Sequence, residues 1–227
     1  MSYLLRLVVP DKPGILGAVA TALGAAGIDI VSLDVLERGS GVAVDDIVVD
    51  LPAGRLPDSL ITAAHTVPGV SVESLRPFAG PLDTHRELEL LDALARAAEG
   101  TSAKLLAAEL PRVFHSGWAV VLSVVDTPAA GPATWEVTAA SEAAPAFEGL
   151  TLPWMPLTGP RLLPSEEDWL PERWRDMAIE MMAAPYGGPG CAVVLGRSGG
   201  PAFRRSELLR LAHLTGIATT VASLPPV

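Results

Sequence analysis

Residues 7–30 read LVVPDKPGILGAVATALGAAGIDI, and this stretch decides the fold. An apolar run stops at Pro10. Asp11-Lys12-Pro13-Gly14 follows, and then an Ala-rich segment in which Ile15, Val19 and Leu23 fall four apart with Leu16 and Ala20 beside them. That period predicts a helix over 13–26. Pro13 suits its first turn, where a missing N–H costs nothing. Gly27 sits where helices commonly end in a left-handed residue. Upstream, Tyr3–Val9 reads as a strand with Leu5, Leu7 and Val9 on one face. A plain turn does not need an acid, a proline and a glycine between strand and helix. Gly14 has no Cβ, so a ligand or a neighbouring chain can approach the backbone. The amides of Gly14, Ile15 and Leu16 stand at a helix start, where the dipole favours an anion. The same residues admit a local reading, in which Asp11 caps the helix and Pro13-Gly14 only shapes the turn.

Working outward, a second strand is expected from Ile28 to about Arg38, then a turn at Gly39-Ser40-Gly41 and a third strand over Val42–Leu51. Pro57 opens a second helix with Leu60, Ile61, Ala64 and Val67 inward. Pro68-Gly69 ends it, and Val70–Leu75 makes a last strand. The order is βαββαβ, the ferredoxin-like plan. With DKPGIL after the first strand and GIDI before the second, residues 3–76 resemble the ACT domain family. These are small regulatory modules that bind amino acids or related metabolites at the first strand-to-helix loop, commonly where two units meet.

The resemblance implies ligand-binding roles for Asp11, Lys12, Pro13, Gly14, Ile15, Leu16 and Asp29. Many amino-acid-binding members carry asparagine at the positions held here by Asp11 and Asp29. Val9 stands where some serine-binding members place a histidine. An ionised aspartate only accepts hydrogen bonds. The expected ligand is therefore a neutral or cationic amino acid, or none, rather than a dicarboxylate. Its carboxylate would meet the amides of Gly14–Leu16 and its ammonium Asp11 or Asp29.

Residues 1–78 are thus expected to form one domain, 79–84 a linker and 85–227 a second domain. The second opens with a helix over Arg86–Glu99, whose stripes are Leu88, Leu91, Ala95 and Ala98 and, beside them, Leu90, Leu94 and Ala97. A helix over Ser102–Phe114 follows, then a buried strand over Trp118–Val125. Next comes a strand on which Trp135, Val137 and Ala139 alternate, after a turn at Gly131-Pro132. Residues 145–165 hold five prolines and form an irregular excursion, expected to cover a cavity with Trp154 and Met155 on its inner side. A short helix over Glu166–Met177, a strand or helix over Ala178–Ala184, a buried strand over Gly190–Gly196 and a closing helix to Ala222 complete the chain. Residues 84–224 resemble the GAF domain family, with VVLGRSGGPAF and RRSELLRLAHLTGIATTVA as its C-terminal pattern. The fold class is α+β: an ACT domain followed by a GAF/PAS-like antiparallel sheet with flanking helices.

Composition narrows the function. The 227 residues carry a net charge of −10 with no Lys/Arg cluster, which disfavours nucleic acid as a partner. No apolar run reaches membrane-spanning length and no secretory leader is visible, so no membrane partner and a cytoplasmic location are expected. Cys191 is the sole cysteine, set in an apolar strand as a small hydrophobe rather than a nucleophile. The histidines at 65, 85, 115 and 213 have no metal-ligand spacing. Five tryptophans lie between 118 and 174; they either fill a core or line a pocket. The expected protein is a non-enzymatic regulator with no catalytic residue, metal or cofactor, which senses a small ligand through its first domain and forms a homodimer. The alternative is a regulatory subunit of an amino-acid-metabolism enzyme with no ligand of its own.

Overall fold

In the computed structural model the alternation that begins at Tyr3 forms strand β1 (Ser2–Pro10). Its Tyr3, Leu5, Leu7 and Val9 enter a hydrophobic core. Helix α1 (Ile15–Ala25) buries Ile15, Val19 and Leu23, the fourfold stripe of the sequence. It starts two residues later than its period suggests, because Gly14 is left-handed at φ 85°. Gly27, also left-handed, turns the chain into β2 (Asp29–Gly39). Ser40 and Gly41 both have positive φ, the two-residue hairpin turn whose twist matches its strands, and β3 (Val42–Asp50) returns. Helix α2 (Asp58–His65) buries Leu60, Ala63 and Ala64, and β4 (Ser71–Pro77) closes the unit. The strand order is β2-β3-β1-β4, all antiparallel. Both helices pack on one face through a single core. On the other face Arg6 grips Asp46 with two hydrogen bonds, of 2.7 and 2.9 Å.

The chain divides into two units, Met1–Thr84 and His85–Val227. The structure describes residues 1–78, 85–98, 100–126, 133–147 and 149–223. The expected linker at 79–84 and the turn at Gly131-Pro132 lie outside them.

The second unit has helices α3 (Arg86–Ala95) and α4 (Ser102–Val113), then strands β5 (Trp118–Asp126) and β6 (Thr134–Ala140). After them come β7 (Arg161–Leu163), α5 (Glu172–Asp176), β8 (Ile179–Pro185), β9 (Cys191–Ser198) and α6 (Arg205–Ala222). The five strands form an antiparallel sheet ordered β6-β5-β9-β8-β7. Alternation divides its side chains between two cores. Ala119, Val121, Met182, Val193 and Leu195 meet α3, α4 and α6. Trp118, Val120, Leu122, Met181 and Val194 meet the excursion.

Several expectations change here. A residue two positions along a helix lies about 200° around it, so Leu88 and Leu90 cannot both face inward. The stripe of Leu90 and Leu94 is buried, and Leu88 is 65% exposed. Trp135, Val137 and Ala139 do not share a face. A bulge opposite Val121/Leu122 shifts the register, so Trp135 and Val137 turn toward the excursion and Ala139 toward the helices. The helix expected over Glu166–Met177 shrinks to α5, which starts only after Pro171, whose ring disfavours helical backbone before it. The excursion itself supplies the edge strand β7. Trp154 and Met155 are buried, as inward-facing residues of the excursion, and pack with Leu152, Leu157 and Trp169 in the core that covers the sheet.

Candidate functional site

The loop between β1 and α1 is held from two directions. The Asp11 amide donates to the Gly41 carbonyl at 2.9 Å, which ties the loop to the β2–β3 turn. Arg38, near the end of β2, donates from Nη2 and Nε to Asp11 Oδ1 at 2.5 and 3.1 Å. This pair raises the Arg38 guanidinium further above its ordinary value. Asp11 therefore does not cap α1, which has no side-chain cap. Gly14 is required for its backbone: a Cβ there would meet no atom within 4 Å, but its φ of 85° is one that side chains rarely adopt.

Behind the loop lies a pocket of about 350 Å³. Asp11, Lys12, Pro13, Gly14, Ile15 and Leu16 all line it. Pro13 has no N–H. Among the described residues the amides of Gly14, Leu16 and Gly17 have no acceptor, and Ile15 reaches the Lys12 carbonyl at only 3.4 Å. The rim of the pocket is thus a helix start with open donors.

Asp29 does not belong to this site. It opens β2 opposite Asp50, which pairs with Ser2 at the start of β1, whereas the loop follows Pro10 at the other end of that strand. Eight residues of strand rise separate the two ends, roughly 26 Å. The reason is topological: α1 carries the chain back along the sheet before β2 begins. The expected pair of carboxylates, Asp11 and Asp29, is not assembled within one chain.

The pocket holds instead residues the sequence reading passed over: Val35, Arg38, Ala43 and Asp45. Asp45 is 1% exposed, and among the described residues neither of its carboxylate oxygens has a hydrogen-bond partner. Burial raises its pKa above the usual carboxylate range; Arg38 opposes the shift, and Asp46 and Asp11 add to it. The signal was in VAVDDIVVD, a strand with two adjacent acids. Adjacent residues point to opposite faces, so one of the two had to turn toward the helices.

The second unit has a groove of about 480 Å³ along β6, lined by Trp135, Glu136, Val137, Gly149, Leu150 and Thr151. Cys191 is half-buried and accepts a contact from the Ser123 hydroxyl at 3.6 Å; burial pushes its thiol pKa up, which opposes thiolate chemistry. Among the described residues no three His, Cys, Asp or Glu side chains gather as a metal site, and no helix is long and apolar enough to cross a membrane.

No curated protein matches the chain. Solved structures similar to parts of it include a formyltetrahydrofolate deformylase from Pseudomonas putida KT2440, at 15% identity and a TM-score of 0.27, over 41% of this chain and 37% of that one. A quorum-quenching acylase, GqqA, is similar at 18% identity and a TM-score of 0.25, over 34% and 43%. An unknown protein from Galdieria sulphuraria is similar at 17% and 0.29, over 59% and 76%. The matched stretches span less than half of the deformylase and of the acylase, and none of these likenesses bears on activity. The family model described as the ACT domain matches residues 3–69, so this part of the chain is an ACT domain, the kind of module that generally serves regulatory ligand binding.

Proposed function

We propose that the protein is a non-enzymatic regulator whose ACT domain senses a small amino-acid-like metabolite at the loop between β1 and α1. The observation that carries this reading is the pocket at that loop, which is lined both by open amide donors at a helix start and by a buried carboxylate. A site of that character suits a ligand with an anionic and a cationic end. The raised thiol of Cys191 supports a role without catalysis. The second unit, with helices before and after a five-stranded sheet and an irregular segment across its other face, supports kinship with GAF domains.

A second reading is favoured by the apolar side chains exposed on the edge strand β2: the ACT domain is an assembly module with no ligand of its own. Thermal melting of the full chain with individual free amino acids separates the two. Binding to the folded state alone raises the melting temperature, by about 2.7 kcal/mol of added stability at a hundred times Kd. Gly14→Val, which forces a branched side chain onto a left-handed backbone, is expected to remove that rise. No shift with any amino acid would favour the assembly reading.

A further inference from the structure

Asp45 sits mid-strand on the face of β3 that packs against α1 and α2, where alternation calls for an aliphatic side chain. Leu7 of β1 and Val35 of β2 flank it across the ladder, and Ala43 and Ile47 lie two residues to either side. All four are apolar, and Leu7, Ala43 and Ile47 belong to the core. Its sequence neighbour Asp46, on the opposite face, has the bidentate grip of Arg6. Asp45 has no hydrogen-bond partner among the described residues, and both its oxygens are buried. Buried polar groups are nearly always hydrogen-bonded, and a carboxylate is among the costliest to leave alone.

The groups around it leave the role vacant. Asp11 Oδ1 already takes both hydrogen bonds from Arg38. Among the described residues the amides of Gly14, Leu16 and Gly17, on the same pocket, have no backbone acceptor, and a helix start prefers an anion. The pocket thus has donors at its rim and one unsatisfied acid in its wall, within a volume that suits a small molecule.

We propose that Asp45 is the specificity-determining residue of this pocket: it receives the protonated amine of the ligand, whose anionic end is held by the amides at the start of α1. This rests on the reading of the loop as a ligand site. It makes the amine a requirement rather than an accessory. A compound with the same carboxylate and side chain but a ketone in place of the amine would leave Asp45 orphaned and bring a second acceptor toward it. A site built to pair with a donor rejects an analogue that lacks one, because its own buried group is then left unsatisfied.

The test is calorimetric titration of the full chain with L-serine, L-leucine, L-lysine, L-arginine and L-glutamate, followed by the 2-oxo acid of the tightest binder. The expected result is at least tenfold weaker binding of the 2-oxo acid. Asp45→Asn, folded by circular dichroism, is expected to bind the amino acid about 10- to 100-fold more weakly. Equal binding of the amino and 2-oxo acids, or an unchanged affinity in folded Asp45→Asn, overturns the proposal; if Gly14→Val still abolishes binding, the loop survives as the site. If Asp45→Asn does not fold, the matched pair of ligands on the unaltered chain decides alone. Binding of none of these compounds overturns both the proposal and the reading it rests on.

Discussion

Asp45 and Asp46 are adjacent in the chain and opposite in circumstance, and the contrast fixes what each costs. Asp46 exchanges water for two charge-assisted hydrogen bonds from Arg6. Asp45 exchanges water for an apolar wall, and burial raises its pKa against the pull of Arg38. A carboxyl with a raised folded pKa binds its proton more tightly in the native state than in the unfolded one. Stability therefore falls as pH rises from the unfolded pKa, near 3.9, to the raised native value, and the loss is complete above it. Asparagine cannot ionise. Asp45→Asn is expected to stabilise the protein at pH 7 by about 1–3 kcal/mol, with the gain shrinking toward zero as pH falls to about 4. Urea unfolding at the two pH values reads this directly. An equal stability at pH 7 would mean that the carboxylate finds a partner in solution. A substitution that stabilises the fold while weakening ligand binding is the pattern expected of a residue retained for recognition rather than for packing.

Among the elements, those with a clean period were legible in the sequence and those set by cross-strand contacts were not. Ile15, Val19 and Leu23 announced α1, and Ser40-Gly41 announced the hairpin. The faces of β6 could not be read, because the bulge that turns Ala139 away from Trp135 and Val137 depends on pairing with β5. The strand β7 has three residues and exists only because β8 offers it an edge. The loop of the candidate site was legible from PDKPG, whereas Asp45, the buried acid in its wall, lies more than thirty positions away on a strand that reads as ordinary core. Gly196 shows the same limit. It looks like the end of a strand, yet it faces Trp118 across the ladder, and a Cβ there would lie 2.0 Å from Cζ2 of the indole. That ring packs against Phe147 and Trp174 and has nowhere to move. Gly196→Ala is expected to destabilise the protein by about 1–3 kcal/mol or more through overpacking. A lowered melting temperature together with altered near-ultraviolet circular dichroism of the tryptophans would report it; an unchanged spectrum and midpoint would refute it.

At the scale of the whole molecule the outstanding feature is the edge of the first sheet. Among the described residues β2 pairs only with β3, so its other side offers unpaired backbone groups. Along it Val31, Leu33 and Val35 are 40%, 37% and 47% exposed, while Ile30 packs into the core. Natural edges are usually blunted by charge, proline or a cover, and three exposed aliphatics along one edge are a surface made to be covered. A second copy of the same edge is the simplest cover, since a two-fold axis pairs a patch with itself. We therefore expect a homodimer. The chain carries a net charge of −10, so like charge opposes association. Added salt screens that repulsion without weakening the apolar contact, and the dimer should tighten as ionic strength rises. Light scattering at micromolar concentration is expected to give twice 23.6 kDa. The double substitution Val31→Lys and Leu33→Lys should give the monomer mass with the far-ultraviolet spectrum unchanged, because both side chains already face solvent in the single chain. A monomer mass for the unaltered protein at high salt would show that this edge is not an interface between copies.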